Sequence, residues 1–203
     1  MSPKFFGLAY VVLFVGARTV ARILARRHAR GHQTGAIIED RVNTGERLVL
    51  AGYLIGGLLL PLLALGSWLP TLGYSLPDWA SWTGLVILSA ALCLHVWAIA
   101  DLGRSYSATV RVRERQPLVR NGIYASIRHP IYASLWLVAL AQPLLIHHLV
   151  FGFAGLLGFA VLFLYRLPRE ERMMLDVYGD EYRDYMRRVG SLLPRLDVNS
   201  DVH

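Results

Sequence analysis

Long apolar runs separated by arginine-rich segments set the pattern of this chain. Five runs stand out: Phe5 to Ala17, Leu48 to Trp68, Trp82 to Ala100, Pro130 to Ile146 and Leu149 to Tyr165. A helix crosses a bilayer with about 17–25 mostly apolar residues. The second and third runs carry no charge at all. The first reaches spanning length if it extends to about Ala25, with Arg18 and Arg22 snorkelling. The pattern predicts an all-α fold: an integral membrane helical bundle with five transmembrane helices.

The polar segments fix an orientation. Arginines from Arg18 to Arg47 lie at the end of the first run or before the second, those from Arg104 to Arg128 between the third and fourth, and those from Arg166 to Arg195 after the fifth. Lys4 alone falls on the opposite side, and the connections 69–81 and 147–148 hold no basic residue. This is the positive-inside distribution, and it puts the N-terminus outside and the C-terminus in the cytosol. Trp68, Trp79 and Trp82 gather near the outer ends of the second and third runs, where amphipathic rings favour the interface. The basic flank of the first run follows it, and no A-x-A site is evident, so the run reads as a span rather than a signal peptide.

Composition agrees with that picture. Apolar residues make up 55% of the chain and charged residues 17%, whereas soluble domains are about a quarter charged. A net charge of +7 would suggest nucleic acid, but its sorting by loop assigns it to the membrane surface instead. Cys93 is the only cysteine, which excludes an intrachain disulfide and a cysteine-based zinc site. No HExxH, Walker loop or pair of carboxylates within a span appears, and no metal site is expected. Arg18, Arg22, Arg26 and Arg30 share one helix face and read as interface arginines. Gly52 and Gly56 form a GxxxG that suits helix packing. Cys93 and His95 read as packed membrane residues.

Two inner segments are too patterned to be plain loops. In Leu102 to Pro130, "TVRVRE" alternates as extended backbone does, and Asn121-Gly122 marks a turn. Pro130 suits the first position of a helix, with His129 as its cap. Arg128 and His129 beside a helix start make an anion site for a carboxylate or phosphate. Equally, Arg128 suits an interface arginine bonding lipid phosphate. In the tail, Pro168 is expected to open a short amphipathic helix, Gly179 to end it and Asp180 to cap a second one. These two helices are expected on the cytosolic side. Glu170 and Glu171 gain nothing beside an anionic leaflet. They make sense facing a bound cation or pairing with Arg166 and Arg169. An anion site beside a cation partner suits a zwitterion such as S-adenosylmethionine, and a phospholipid headgroup fits as well.

"LVRNGIYASIRHPIYAS", an apolar helical hairpin and "RLPREERMMLDVYGDEYRDYMRRVGSLLP" together resemble the isoprenylcysteine carboxyl methyltransferase family over residues 100–195. The number of spans fits its short, prokaryotic-type members. RHPxY alone is less specific, since phospholipid methyltransferases and membrane sterol reductases carry relatives of it. The resemblance implies a single membrane domain over 1–203: three spans in 1–100, and a cofactor-binding half in 101–203. It implies binding of S-adenosylmethionine by Leu118, Val119, Gly122, Tyr124, Arg128, His129, Tyr132 and Glu171. It implies catalytic roles for Arg166 and Glu170 at the acceptor carboxylate. The acceptor implied is lipophilic, such as the carboxylate of a prenylated cysteine, entering from membrane lipids. A prokaryotic plasma membrane is the expected location. The competing readings are methyl transfer to a phospholipid amine or other small lipophile, an NADPH-dependent membrane reductase, and a lipid-binding protein without catalysis.

Overall fold

A computed structural model of the chain describes residues 3–30, 37–40, 43–66, 70–103, 111–113 and 117–195. The described part of each apolar run is mostly helical. Helix α1 spans Pro3–Arg30, and α2 (Thr44–Leu54) continues through a π-helical turn (Ile55–Leu59) into α3 (Leu60–Ala64). Helices α4 (Asp78–Leu102), α5 (Pro130–Leu145), α6 (Leu149–Tyr178) and α7 (Asp180–Arg188) follow. Among the described residues, four stretches are long and apolar enough to cross a membrane: 4–24, 44–64, 78–102 and 149–178. Helix α5 is equally apolar but has 16 residues. At 1.5 Å per residue that is about 24 Å, short of a hydrocarbon core of roughly 30 Å.

The outward faces are as greasy as the interior. Val86, Leu157 and Leu164 are 68%, 67% and 71% exposed. A water-soluble bundle would not tolerate such a surface, whereas lipid tails match it. The chain is an integral membrane protein. Helix α5 packs between α4 and α6, with α1 against α4 and α2 against α6. The shared core joins Phe6, Tyr10 and Phe14 of α1 to Leu88 of α4, Val138 and Leu145 of α5, and Phe159 and Leu162 of α6.

One polar residue locks this core. Gln142 Nε2 donates to the carbonyls of Gly56 (3.0 Å) and Phe151 (2.7 Å), and its Oε1 accepts from the Tyr10 hydroxyl at 2.9 Å. Gly155 makes room for it, since a Cβ there would overlap the amide. The Gly56 carbonyl belongs to the π turn, where one extra residue loosens the helical ladder. Gln142→Leu is expected to lower stability by about 2–4 kcal/mol, because the Gly56 and Phe151 carbonyls lose a buried donor at once, while Tyr10 keeps only the Gly57 carbonyl. Thermal unfolding in detergent measures this, and an unchanged midpoint would refute it.

The GxxxG expectation resolves inside the chain. A Cβ on Gly56 would strike the backbone of Ala154, and Gly158 lies against the Gly52 carbonyl. The small residues therefore seat α2 and the π turn on α6. His95 Nδ1 pairs with Ser134 Oγ at 2.9 Å between α4 and α5, as a packed membrane histidine does.

Two expectations need correction. Pro168 does not open a new helix; α6 runs through it to Tyr178. A proline removes one hydrogen bond to the residue four back, and contacts of i,i+4 type span the gap. Arg166 pairs with Glu170 at 2.8 Å, and Arg169 Nη1 donates to the Tyr165 carbonyl at 3.2 Å. Asp180 is the first residue of α7, and the cap position is Gly179, whose φ of 54° suits a residue without Cβ. The fold is all-α as expected, with one small two-stranded ribbon beside the helices. "TVRVRE" contributes strand β2 (Arg111–Arg113), which pairs antiparallel with an unanticipated β1 (Ile37–Asp40). Trp68, the Arg26 and Arg30 side chains and the remainder of "TVRVRE" lie outside the described residues.

Candidate active site

The site forms where α5 begins, and the local sequence dictates how. Asn121-Gly122 turns the chain into a short 3₁₀ segment, Gly122–Ala125, with Gly122 at φ 57°. The Asp101 carboxylate, at the end of α4, accepts from Ile123 N at 2.7 Å. It sits where a Cβ on Gly122 would fall, so glycine is required twice over at this position. Sequence reasoning missed Asp101, and its place beside the α4 terminus was the available signal. The chain then runs extended beside the segment after α7. Arg128 N donates to the Gly190 carbonyl at 2.9 Å and His129 N to the Ser191 carbonyl at 3.0 Å. Pro130 opens α5 with His129 as cap, as the sequence predicts.

Two consecutive glutamates on α6 then meet two sets of partners, because neighbours on a helix point about 100° apart. Glu171 Oε1 accepts from Arg128 Nη2 at 2.9 Å and lies 3.2 Å from His129 Nε2. Glu170 Oε1 accepts from the Tyr132 hydroxyl at 2.6 Å and from Arg166 Nη2 at 2.8 Å. The result is two adjoining ion-pair layers between α5 and α6. Aromatic rings floor them on the core side: Tyr132 meets Phe159 and Phe163, and Trp136 packs edge-on to the same two rings.

Helix α7 closes the site from the far side. Arg128 Nη1 donates to the carbonyls of Met186 (3.1 Å) and Val189. The Tyr185 hydroxyl donates to the Tyr124 carbonyl. Tyr182 is buried beside Arg128 and Glu171; burial first, and then the Glu171 carboxylate, push its hydroxyl well above the usual tyrosine range. Leu118 packs into the cluster around Tyr182, Tyr185 and Val189.

The structure thus brings Arg128, His129, Tyr132, Arg166, Glu170 and Glu171 together. It places Tyr124 and Leu118 against α7, Gly122 at the Asp101 turn, and Val119 half-buried just before that turn. One reading changes. Arg128 and His129 do not stand open as an anion site, because the Glu171 carboxylate already fills that place. Glu170 pairs with Arg166 as the sequence suggests, while Arg169 lies over the Tyr165 ring at 3.7 Å.

Sequence reasoning also passed over Glu46. It lies in the first turn of α2, is 3% exposed, and its Oε1 comes within 3.8 Å of Arg166 Nε. The only signal was an acidic residue at the threshold of an uncharged span, three places after Asn43. That spacing reads as an ordinary capping box.

Comparison with known proteins places this geometry. The sequence model described as "Isoprenylcysteine carboxyl methyltransferase (ICMT) family" matches residues 82–176, which include both ion-pair layers. The human "Protein-S-isoprenylcysteine O-methyltransferase" is 28% identical over 163 residues, covering 75% of this chain and 57% of the human protein. The Schizosaccharomyces pombe protein of the same name is 31% identical over 111 residues, 52% of this chain and 47% of its own. A rice "Probable protein-S-isoprenylcysteine O-methyltransferase" is 27% identical over 119 residues, 58% of this chain and 62% of its own. The chain therefore spans about three fifths or less of the length of these relatives. A solved structure of "the eukaryotic intramembrane Ras methyltransferase ICMT" superposes with a TM-score of 0.55 at 21% identity, over 92% of this chain and 67% of that one. That likeness establishes a shared membrane fold.

Proposed function

We propose, from the match of residues 82–176 to the isoprenylcysteine carboxyl methyltransferase family model, that this chain methylates the carboxylate of a prenylated cysteine, using S-adenosylmethionine. The observation that carries the proposal is the pair of buried ion-pair layers joining Arg128, His129 and Glu171 to Tyr132, Arg166 and Glu170.

The charge balance of these residues suits the cofactor. Glu46, Glu170 and Glu171 face Arg128 and Arg166, which leaves one negative charge in excess when His129 is neutral. S-adenosylmethionine carries a net positive charge through its sulfonium and ammonium groups. Buried Arg128 Nε has no hydrogen-bond partner, so one donor on the cofactor side remains unsatisfied. The aromatic floor of Tyr132, Trp136, Phe159 and Phe163 favours a cation over its faces and a prenyl chain along its edges.

When bound, the cofactor supplies an electrophilic methyl group on sulfur. The residues of the chain supply alignment. An acceptor carboxylate is already ionised near neutrality, so no side chain need remove a proton. Arg166 is proposed to hold that carboxylate, and Glu170 to hold Arg166 together with Tyr132. Arg128, His129 and Glu171, backed by Leu118, Val119, Gly122 and Tyr124, are proposed to line the cofactor side. Fixed approach of two reactants is worth roughly 7–11 kcal/mol in favourable cases. The exposed apolar faces of the bundle are proposed to let a greasy acceptor approach from lipid without passage through water. The proposed setting has five crossings, α5 being the fourth, with α7 on the cytosolic side of a prokaryotic plasma membrane.

The purified protein in nanodiscs is expected to transfer labelled methyl from S-adenosylmethionine to N-acetyl-S-farnesylcysteine, giving a base-labile ester. Label on a phospholipid amine instead would redirect the proposal to that acceptor. Absence of transfer together with binding of NADPH would overturn it.

A further inference from the structure

We infer that Glu46 is a positioning residue for Arg166, supplied by a helix outside the family-matched segment; the inference rests on the proposed methyl transfer. Glu46 is 3% exposed, and its Oε1 has no hydrogen-bond partner. A carboxylate oxygen buried in this way is costly, and an apolar side chain would fill the space more cheaply. Packing alone therefore does not explain it. What Oε1 does have is the Arg166 guanidinium, with Nε at 3.8 Å.

The surroundings show that this approach is built in. Asn43 Oδ1 accepts from Glu46 N at 2.9 Å and from the Tyr165 hydroxyl at 2.8 Å. One asparagine thus caps α2 and docks it on α6 at the residue preceding Arg166. Gly45 leaves space for the Tyr165 ring, since a Cβ there would overlap its hydroxyl. Farther along, the π turn adds a residue, which rotates α2 by about 100° relative to the helix beyond it. Gln142 holds that turn through the Gly56 carbonyl. Without that offset, docking on α6 would present a different face of α2, and Glu46 would turn away from Arg166.

The two carboxylates do different things to one guanidinium. Glu170 holds Nη2 from the same helix. Glu46 adds a second carboxylate on the Nε side from another helix, at 3.8 Å an ion pair rather than a hydrogen bond, and its charge biases the orientation of the guanidinium plane. A planar fork recognises a carboxylate only when its plane is right.

Glu46→Gln keeps the shape and removes the charge. We expect KM for the prenylcysteine acceptor to rise about tenfold or more and kcat to fall, with KM for S-adenosylmethionine changing less than about twofold; misplacement of a contact by about 1 Å has effects of this order. Affinity for the acceptor analogue, measured by calorimetry without cofactor, should weaken in parallel. Glu46→Asp should restore part of the loss, which a purely structural role would not predict. An active wild type whose Glu46→Gln variant stays within about twofold on the acceptor overturns this inference alone. Equal loss on acceptor and cofactor assigns Glu46 to the cofactor side and also overturns it. A wild type that transfers no methyl group overturns the parent proposal and this inference with it.

Discussion

Replacement of Arg166 by alanine is expected to reduce methyl transfer by about a hundred- to a thousandfold, the range seen when one preorganised charged donor is removed from an active site. Arg166 is 8% exposed on α6 and faces two carboxylates, Glu170 at 2.8 Å and Glu46 at 3.8 Å. Deleting it leaves both acids without their cation in a low-dielectric interior. Breaking a buried pair from one side costs about 3–5 kcal/mol, so stability is expected to fall as well. Arg166→Lys separates the two effects. It keeps the charge, so the fold should largely recover, but it loses the planar fork and with it the proposed grip on the acceptor carboxylate. Activity in the lysine variant should remain near that of the alanine variant while the melting temperature returns towards wild type. A lysine variant of full activity would exclude a geometric role for the guanidinium.

The parts of this site that sequence made legible are those that depend on chain neighbours. Pro130 marks the start of α5 because a proline in the first turn forfeits no helical hydrogen bond, and the long apolar runs mark their helices by length alone. The motif around Arg128 and His129 was legible for the same reason. Pairings between helices were not. Whether Glu171 balances Arg128 or a ligand depends on how α6 is rotated against α5, and no local rule sets that angle. The continuity of α6 through Pro168 was hidden because its cost is offset by Arg166 and Arg169, which reach across the gap. The π turn was hidden more deeply. Its carbonyls are held by Gln142 and Tyr10, which lie 86 and 47 residues from their partners. Glu46 faces Arg166 only in consequence of such contacts, and so its role was invisible in a capping-box pattern.

Arg128 offers the second test, because it joins three elements that are far apart in the chain. Its guanidinium donates to Glu171 of α6 and to the carbonyls of Met186 and Val189 at the end of α7, while its own N–H pairs with Gly190. Arg128→Ala is expected to remove the first three bonds together. Glu171 keeps only His129, and the carbonyls that close α7 lose the donor that satisfied them. The segment from Asp180 to Ser191 should then open far more often, and amide exchange there should speed up, whereas exchange in the α5–α6 core should not. Because Tyr182 and Tyr185 belong to that segment and Leu118 packs on them, affinity for S-adenosylhomocysteine should fall by about a hundredfold or more, comparable to the loss of a buried, hydrogen-bonded charge pair. Arg128→Lys tests whether charge or reach is required. One ammonium can hold Glu171 but cannot also span two carbonyls on α7 in a fixed fork. The lysine variant should therefore keep the start of α5 ordered and still show rapid exchange in α7. If α7 exchanges as slowly in the alanine variant as in wild type, its closure is held by the tyrosine cluster alone, and the proposed coupling of Arg128 to the cofactor side fails.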